Sequence, residues 1–499
     1  MTPRQVLIGL DVGTSSVKAI AITPEGRVTG TASEQYQLRM PKPGWSEQDP
    51  EAWWRASKRA LARLDGEPAA IGLTGQMHGL VCLDRGNRVL RPAILWNDQR
   101  TQAECEQIER LVGFERLVEL TGNRALTGFT APKLLWMRKH EPDLYGKIAR
   151  ICLPKDYVRL KLAGEHAIDV ADASGTLLFD VADRRWSAEI LDALDVAPEW
   201  LPPALESQEV SGHTPAGIPV AAGAGDQAAG ALGVGVVGVG PLSVVLGTSG
   251  VVFSALDAYV CDPQARLHVF CHAVPGTWHA MGVMLSAAGS LNWLRGVLGG
   301  SYERMLAGAE TWQPGCEGLL FAPYLFGERT PHADPDVRGA FSGLDLRHDR
   351  GALCRAVLEG VAFGLRDSLE LLRSLGLEPR SARVSGGGAN SPLWLKIIAS
   401  VLRLPLECTV NADGAAFGAA LLGGIAAGVF TDARDAVSRC VAVSATVEPD
   451  EAWADRYDQI YPRFRALYPA LRGLSEVPVR QDVPSIREAS TNKEGASNG

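Results

Sequence analysis

None of the nine cysteines stands in a Cys-x-x-Cys pair, and none has the spacing of a metal-ligand set. A disulfide framework and a zinc site are therefore both excluded as organising devices, and reduced thiols are expected. Positive charge is also scarce. Lys and Arg number 49 against 57 Asp and Glu, a net charge of −8, which argues against a nucleic-acid-binding surface. Any phosphate must be held locally. No apolar signal segment comes before the first extended run, so a cytoplasmic protein is expected. The uncharged stretch from Gln227 to Leu256 is long enough to raise a membrane span, but Gly230, Gly233, Gly235, Gly238, Gly240 and Pro241 break it, and Thr248 and Ser249 would sit in lipid. No Gly-x-x-x-x-Gly-Lys-[Ser/Thr] occurs, so a nucleotide would not be held by a P-loop. Gly233 to Gly238 does match Gly-x-Gly-x-x-Gly, yet it follows an expected helix and runs into Pro241 and a strand, the reverse of the dinucleotide context.

What the chain has is one turn, twice. An apolar run from Val6 to Leu10 ends in a carboxylate, Asp11; Gly13-Thr14-Ser15-Ser16 forms a small polar turn; Val17 to Ile22 is apolar again. Pro24-Glu25-Gly26 closes the segment before a third extended run near Arg27. Two strands about a tight turn predict a hairpin whose backbone N–H groups and hydroxyls suit a phosphate. Phosphate would repel Asp11, so that carboxylate fits if a divalent cation or its water shell stands between them; an ordinary hairpin with a capping Asp is the plainer alternative. A second copy favours the phosphate reading. Val244 to Phe253 again sets Gly247-Thr248-Ser249 between apolar runs, as two domains gripping one polyphosphate would require. The 499 residues and 46% hydrophobic content allow two large globular domains.

Candidate polar groups lie at expected strand ends. Ala69 to Thr74 leads into Gly75-Gln76-Met77-His78-Gly79, where flanking glycines are expected to expose Met77 and His78. A satisfied structural histidine is the alternative. Ala93 to Trp96 leads into Asn97-Asp98-Gln99-Arg100, either hydroxyl partners or a helix cap. Helix is expected from Gln102 to about Leu120 and from Thr130-Ala131-Pro132-Lys133 to Met137. The runs Leu153 to Tyr157 and Asp169 to Phe179 read as polar turn and short strand, with no charge chemistry.

Ile218 to Ala222 reads as a strand that spills into a glycine-rich turn and places Asp226 at the start of a small-residue helix. There the dipole would favour the carboxylate and give a low-pKa base, enough for phosphoryl transfer, in which the proton moves late; a plain N-cap competes. His268, His272 and His279 lack a completing carboxylate or cysteine and read as structural. Glu328-Arg329-Thr330-Pro331 opens a polar loop, and an amphipathic helix should cover about 350–375. Ala382 to Ser385 runs into Gly386-Gly387-Gly388-Ala389-Asn390, against which a flat ring or phosphate could lie, unless the turn only packs. Gly414 to Ala427 should be a closely packed helix, and 475–499 a disordered tail.

The motifs Gln76-Met77-His78-Gly79, Leu95-Trp96-Asn97-Asp98, Asp172 to Asp180, Phe270 to Gly276 and Ser385 to Trp394 resemble those of the FGGY sugar kinases, over nearly all of the chain to about residue 470. The resemblance implies an α/β fold of two ribonuclease-H-like (actin-like ATPase) domains with an interdomain cleft, residues 1–238 holding sugar and 239–474 nucleotide. It implies ATP-dependent phosphorylation of D-xylulose, or alternatively of a related ketose or polyol such as ribulose or a pentitol, by a homodimer. Asp226 would be the base toward the 5-hydroxyl, and Asp11 would hold Mg2+, directly or through water. Met77, His78, Asn97, Asp98 and Asp226 would meet the sugar. Gly247, Thr248 and Ser249, joined by Thr14, Ser15 and Lys18, would meet phosphate, and Gly387, Gly388 and Asn390 the adenosine. Asp413 stands where the family usually has Glu and is given no role. A non-catalytic actin-like sugar sensor is the rival class; both carboxylates are present, and no DNA-binding segment comes before Leu7.

Overall fold

The structure, a computed structural model, describes residues 5–411 and 414–474. The expected tail at 475–499 and Asp413 lie outside the described residues. Two seven-stranded mixed sheets dominate. In the first, Gln5–Val12 is central: it pairs antiparallel with Ser16–Ile22, which pairs with Val28–Gln35, and parallel with Glu67–Gly75 on its other side. Pro219–Ala221 and Ala224–Gly225 run parallel to Glu67–Gly75. In the second, Pro241–Leu246 takes the same place, antiparallel to Gly250–Leu256 and parallel to Ser381–Ser385. The repeated turn thus belongs to a repeated sheet. Both central strands are buried almost throughout, which their continuous apolar runs require.

Helices cover the sheets. Arg350–Ser374, expected to be amphipathic, is buried on nearly every side along its first 20 residues, because it sits between the second sheet and neighbouring helices and has no wet face there. The expected helical stretch after Gln102 is two helices, Gln102–Val112 and Phe114–Thr121, broken at Gly113, whose φ is +86°. The Gly-x-Gly-x-x-Gly match falls, as anticipated, between the helix Asp226–Gly233 and a strand. No helix among the described residues is long and apolar enough to cross a membrane.

Helix Gly414–Ala426 comes from the second half of the chain but lies on the first sheet and against helix Asp226–Gly233. Small residues bring these backbones together. A β-carbon on Gly72 would run into the carbonyl oxygen of Ala419, and one on Gly418 into that of Ala229. Neither helix can retreat without opening the core. We therefore expect Gly72→Ala or Gly418→Ala to lower stability by at least about 2–3 kcal/mol, as for overpacked cores. Gly296→Ala, which meets nothing within 4 Å in the helix Ala288–Leu298, should be neutral or stabilising by up to about 1 kcal/mol. Urea denaturation of the three variants checks this; equal midpoints would refute the close-packing argument.

Candidate active site

Each Gly-Thr-Ser turn is tied down from behind. In the first, Gly13 O accepts from the Tyr36 hydroxyl and from Gln76 Nε2 at 3.3 Å, and Thr14 O accepts from Gln48 Nε2 at 2.6 Å. In the second, Gly247 O accepts from Ala288 N at 2.9 Å, and Thr248 O from Ala287 N at 2.8 Å. In a trans peptide the C=O and the following N–H point in opposite directions. Anchoring two successive carbonyls therefore turns the N–H groups of Thr14 and Ser15, and of Thr248 and Ser249, outward from their supports. Such a face suits an anion, and it is built the same way in both halves of the chain.

The Thr14 hydroxyl departs from expectation. It accepts from Trp96 Nε1 at 3.0 Å and donates to Gln76 Oε1 at 3.2 Å, so its one proton is taken. What Thr14 turns outward is its backbone N–H, and its side chain links the turn to the two residues just before Met77 and Asn97. Ser15 and Thr248 are exposed and Ser249 is half-buried. Lys18 lies opposite Asp11 across the hairpin, so both side chains emerge on one face.

Register places the two candidate carboxylates. Asp11 pairs with Thr74, and Thr74 with Ala224, two residues before Asp226. Both acids therefore stand at ends of strands one strand apart, roughly 10 Å at two interstrand spacings. A phosphoryl group with its cation fits such a gap. The half-buried Asp11 carboxylate is also a hard oxygen donor of the kind Mg2+ takes. Asp226 opens the helix Asp226–Gly233 at its first residue, and Gly225 holds the cap position, so the capping alternative fails. The expected low pKa fails too. Burial pushes the Asp226 carboxyl up to about 6, against the lowering influence of hydrogen bonds from Gln227. Desolvation outweighs the helix end here. Gln227, whose Nε2 lies 3.2 Å from Asp226 Oδ1, was not singled out by the sequence and holds the carboxylate in place.

Met77 and His78 do stand at the end of strand Glu67–Gly75 but are not exposed: Met77 is buried and His78 half-buried. The flanking glycines serve packing. A β-carbon on Gly79 would lie 2.8 Å from Pro154 Cγ, and one on Gly75 2.8 Å from Val12 O. His78 has φ +67°, and its carbonyl accepts from Thr130 Oγ1 at 3.1 Å and Lys133 Nζ at 2.9 Å, two residues that fix this unusual backbone. Lys133 is fully buried, and burial brings its ammonium down to about 7. His78 Nδ1 is 2.6 Å from Gly175 O. It must carry the proton there, which leaves Nε2 with a lone pair. Burial also holds the ring well below the ordinary histidine pKa, hence neutral.

Asp98 is a further correction. Its carboxylate is wholly buried and receives Ser46 N at 2.6 Å, Arg100 N at 3.0 Å, and Arg100 Nε and Nη2 at 2.9 and 2.7 Å. Its acceptor capacity is filled by its own chain, so it supports Arg100 and meets no sugar. Nor does it or Asn97 cap a helix, since Thr101 precedes Gln102–Val112. The Asn97 side-chain oxygen has no donor among the described residues. In the glycine turn, a β-carbon on Gly388 would press on Leu246 and Trp394, so Gly388 packs. Gly387 faces open space and Asn390 is exposed, its Nδ2 on Gly387 O at 3.2 Å.

The largest omission of the sequence reading lies in 153–180. Instead of turns, Pro154–Ala163 and Val170–Ser174 are helices, and between them Lys155 Nζ lies 2.7, 2.6 and 2.8 Å from carboxylate oxygens of Asp156, Asp169 and Asp172, all fully buried. These three acids are close enough to ligate a cation, but the ammonium already occupies that place. Asp172 borders the site: a β-carbon on Gly225 would stand 3.2 Å from its Oδ1. His268, His272 and His279 pack as expected. They bond to Asn123 and Val236 O or stack on Phe253, and burial keeps all three below the ordinary histidine pKa.

Residues 6–233 match the FGGY family of carbohydrate kinases, N-terminal domain, and residues 242–427 its C-terminal domain. The chain belongs to the FGGY family of carbohydrate kinases. This FGGY kinase is 41% identical to the xylulose kinase of Escherichia coli (strain K12) over 93% of its own length and 99% of that protein. Among solved structures, a xyloylose kinase from Brucella ovis superposes with a TM-score of 0.89 at 43% identity, over 94% of this chain and 100% of that one. A xylulose kinase from Rhodospirillum rubrum gives 0.87 at 33%, over 95% and 100%. The FGGY kinase accordingly has the two-domain actin-like ATPase fold that its duplicated sheets describe.

Proposed function

We propose that this carbohydrate kinase transfers the γ-phosphoryl group of ATP to the 5-hydroxyl of D-xylulose. Similarity to xylulose kinases along nearly the whole chain supports the substrate. The observation that carries the chemistry is the pair of turns whose anchored carbonyls aim successive N–H groups outward. In this reading Met77, His78 and Asn97 line the sugar, and Asp226 accepts the proton of the 5-hydroxyl as its oxygen bonds to phosphorus and the bridging oxygen leaves with ADP. A base with pKa near 6 suits neutral pH better than an ordinary aspartate would. Backbone N–H groups of Thr14, Ser15, Thr248 and Ser249 receive the phosphates beside Gly247, with Lys18 on the same face as Asp11. Gly387 and Asn390 line the adenosine. Mg2+, held by Asp11 directly or through water, would neutralise phosphate charge. The domain division at 238/239 fits the gap between the two family matches. Nine free thiols suit a cytoplasmic enzyme, and a homodimer completes the reading.

The test is ADP release by purified protein with ATP and a panel of sugars. D-xylulose should give the highest kcat/KM; a higher value for ribulose or a pentitol would overturn the substrate, and no sugar-dependent ADP would overturn the activity. Asp11→Asn should shift the Mg2+ titration of activity to at least about tenfold higher concentration, since a neutral amide holds a cation or its water shell less well. An unchanged titration refutes the role of Asp11.

A further inference from the structure

Arg329 enters this site from the second half of the chain, and nothing above assigns it a role. Its backbone is clamped. Glu328 Oε1 accepts from Arg329 N at 2.8 Å and Leu285 N at 2.9 Å, and Thr330 exchanges hydrogen bonds with Val283 at 3.0 Å. Its half-buried side chain reaches the first half, where Nη2 lies 3.4 Å from the place of a β-carbon on Gly128. Gly128 is followed by Phe129, whose ring meets His78 at 4.7 Å and His268 at 5.9 Å. Among the described residues no hydrogen bond or ion pair reaches the guanidinium, although the positive charge is close enough to hold down the pKa of His78, Lys133 and His268. Glu328 is turned to the backbone, and Lys133 is engaged with Gly128 O and His78 O. A half-buried guanidinium that its own chain leaves unbonded points, in a substrate site, to a partner that arrives with the substrate.

The order of side chains along the wall says which part of the sugar that is. Met77 joins the two ends. A β-carbon on Gly225, next to Asp226, would meet Met77 Sδ at 3.0 Å, and one on Gly175, beside His78 Nδ1, would meet Met77 Cε at 3.1 Å. The wall therefore runs Asp226, Met77, His78, Arg329. With the reacting hydroxyl at Asp226, the far end of the sugar lies at His78 and Arg329. We propose that Arg329 is the ketose-reading residue of this site, donating from its guanidinium to the C2 carbonyl oxygen while His78 Nε2 accepts from the C1 hydroxyl. A guanidinium only donates and a carbonyl only accepts, so the two are matched; a C2 hydroxyl could also accept from Arg329, but its own proton would then need a second acceptor, which the carbonyl does not. This assignment rests on the function proposed above.

The experiment compares Arg329→Met and Arg329→Lys with the unaltered enzyme, measuring kcat and KM for D-xylulose and, by calorimetry, the Kd of D-xylulose and xylitol. Arg329→Met should weaken D-xylulose by about 10- to 100-fold, mostly in KM, as loss of a hydrogen bond to a charged group does. Xylitol affinity should change less than threefold, and Arg329→Lys should fall between. Equal losses for both sugars, a loss confined to kcat, or no loss would overturn the assignment. Melting temperatures identify a folding defect, in which case Arg329→Lys decides: parental D-xylulose affinity with a single lysine donor would also overturn it. If the unaltered enzyme releases ADP with no 2-ketose, the proposed function itself falls, a distinct outcome.

Discussion

Asp226→Asn should lower kcat by roughly 10²- to 10⁴-fold and yet raise the melting temperature. The first effect follows from removing the group proposed to take the hydroxyl proton. ATP binding should be nearly intact, because the turns proposed to receive phosphate are anchored by Gln48, Gln76 and backbone groups and not by Asp226. The second effect follows from the raised carboxyl. With pKa about 6 when folded and an ordinary value when unfolded, Asp226 binds more protons folded than unfolded between pH 4 and 6. Its ionisation therefore destabilises the fold above pH 6, and the penalty disappears as pH falls toward 4. Two pKa units correspond to about 3 kcal/mol; residual exposure of the half-buried side chain reduces this to on the order of 2 kcal/mol. In a domain of this size that is about 5 °C. Melting curves should show the variant ahead at pH 8 and the gap closing by pH 4.5. For the unaltered enzyme, kcat/KM should fall about tenfold per pH unit below about 6. A variant that keeps most of its activity, or that melts no higher than the parent at pH 8, contradicts the base assignment or the origin of its pKa.

Both hairpins and the helix opened by Asp226 were legible because their signals are local: apolar runs, a turn of small residues and a strand end within a dozen positions. Local pattern even carried the rejection of Gly233–Gly238 as a dinucleotide motif. It failed where a residue's meaning lies in a distant partner. Glycines beside Met77 and His78 read as openings, yet Gly79 is small because Pro154 packs on it. The Asp98 carboxylate looked like a free hydroxyl partner, and only the fold shows Arg100 curling back on it and Ser46 arriving from 52 positions away. A helix N-terminus suggested a low pKa for Asp226, and the burial that reverses it has no sequence signature. Thr14 looked like a phosphate contact through its hydroxyl, whose proton is committed to Gln76. In each case composition and spacing found the right segment and missed what surrounds it.

Lys155→Met should be among the most damaging single changes outside the reacting groups. Lys155-Asp156 reads as a polar turn, but among the described residues the ammonium is the only group that touches all three buried acids, while Arg159 bonds to Asp156 at 2.8 Å and to the carbonyls of Ala167 and Ala222. Burial already raises Asp169 and, further, Asp172 above the usual carboxylate range, so one retained proton leaves three acids and two cations neutral. Without the ammonium a second carboxylate must stay ionised and unpaired or take up a proton. Removing one partner of a buried ion pair costs about 3–5 kcal/mol, which for a domain of this size is on the order of 10 °C. Because the remaining acids would hold protons more tightly folded than unfolded, the deficit should shrink as pH falls from 8 to 5. Asp169→Asn in the same chain, removing one negative charge and leaving a single ionised acid beside Arg159, should recover part of the loss. Activity should drop as well, since Arg159 grips Ala222 and Asp172 abuts Gly225, both on the segment that delivers Asp226. If Lys155→Met melts within 2 °C of the parent at pH 8, or if the double variant is worse than the single one, the cluster is not the electrostatic brace that its distances describe.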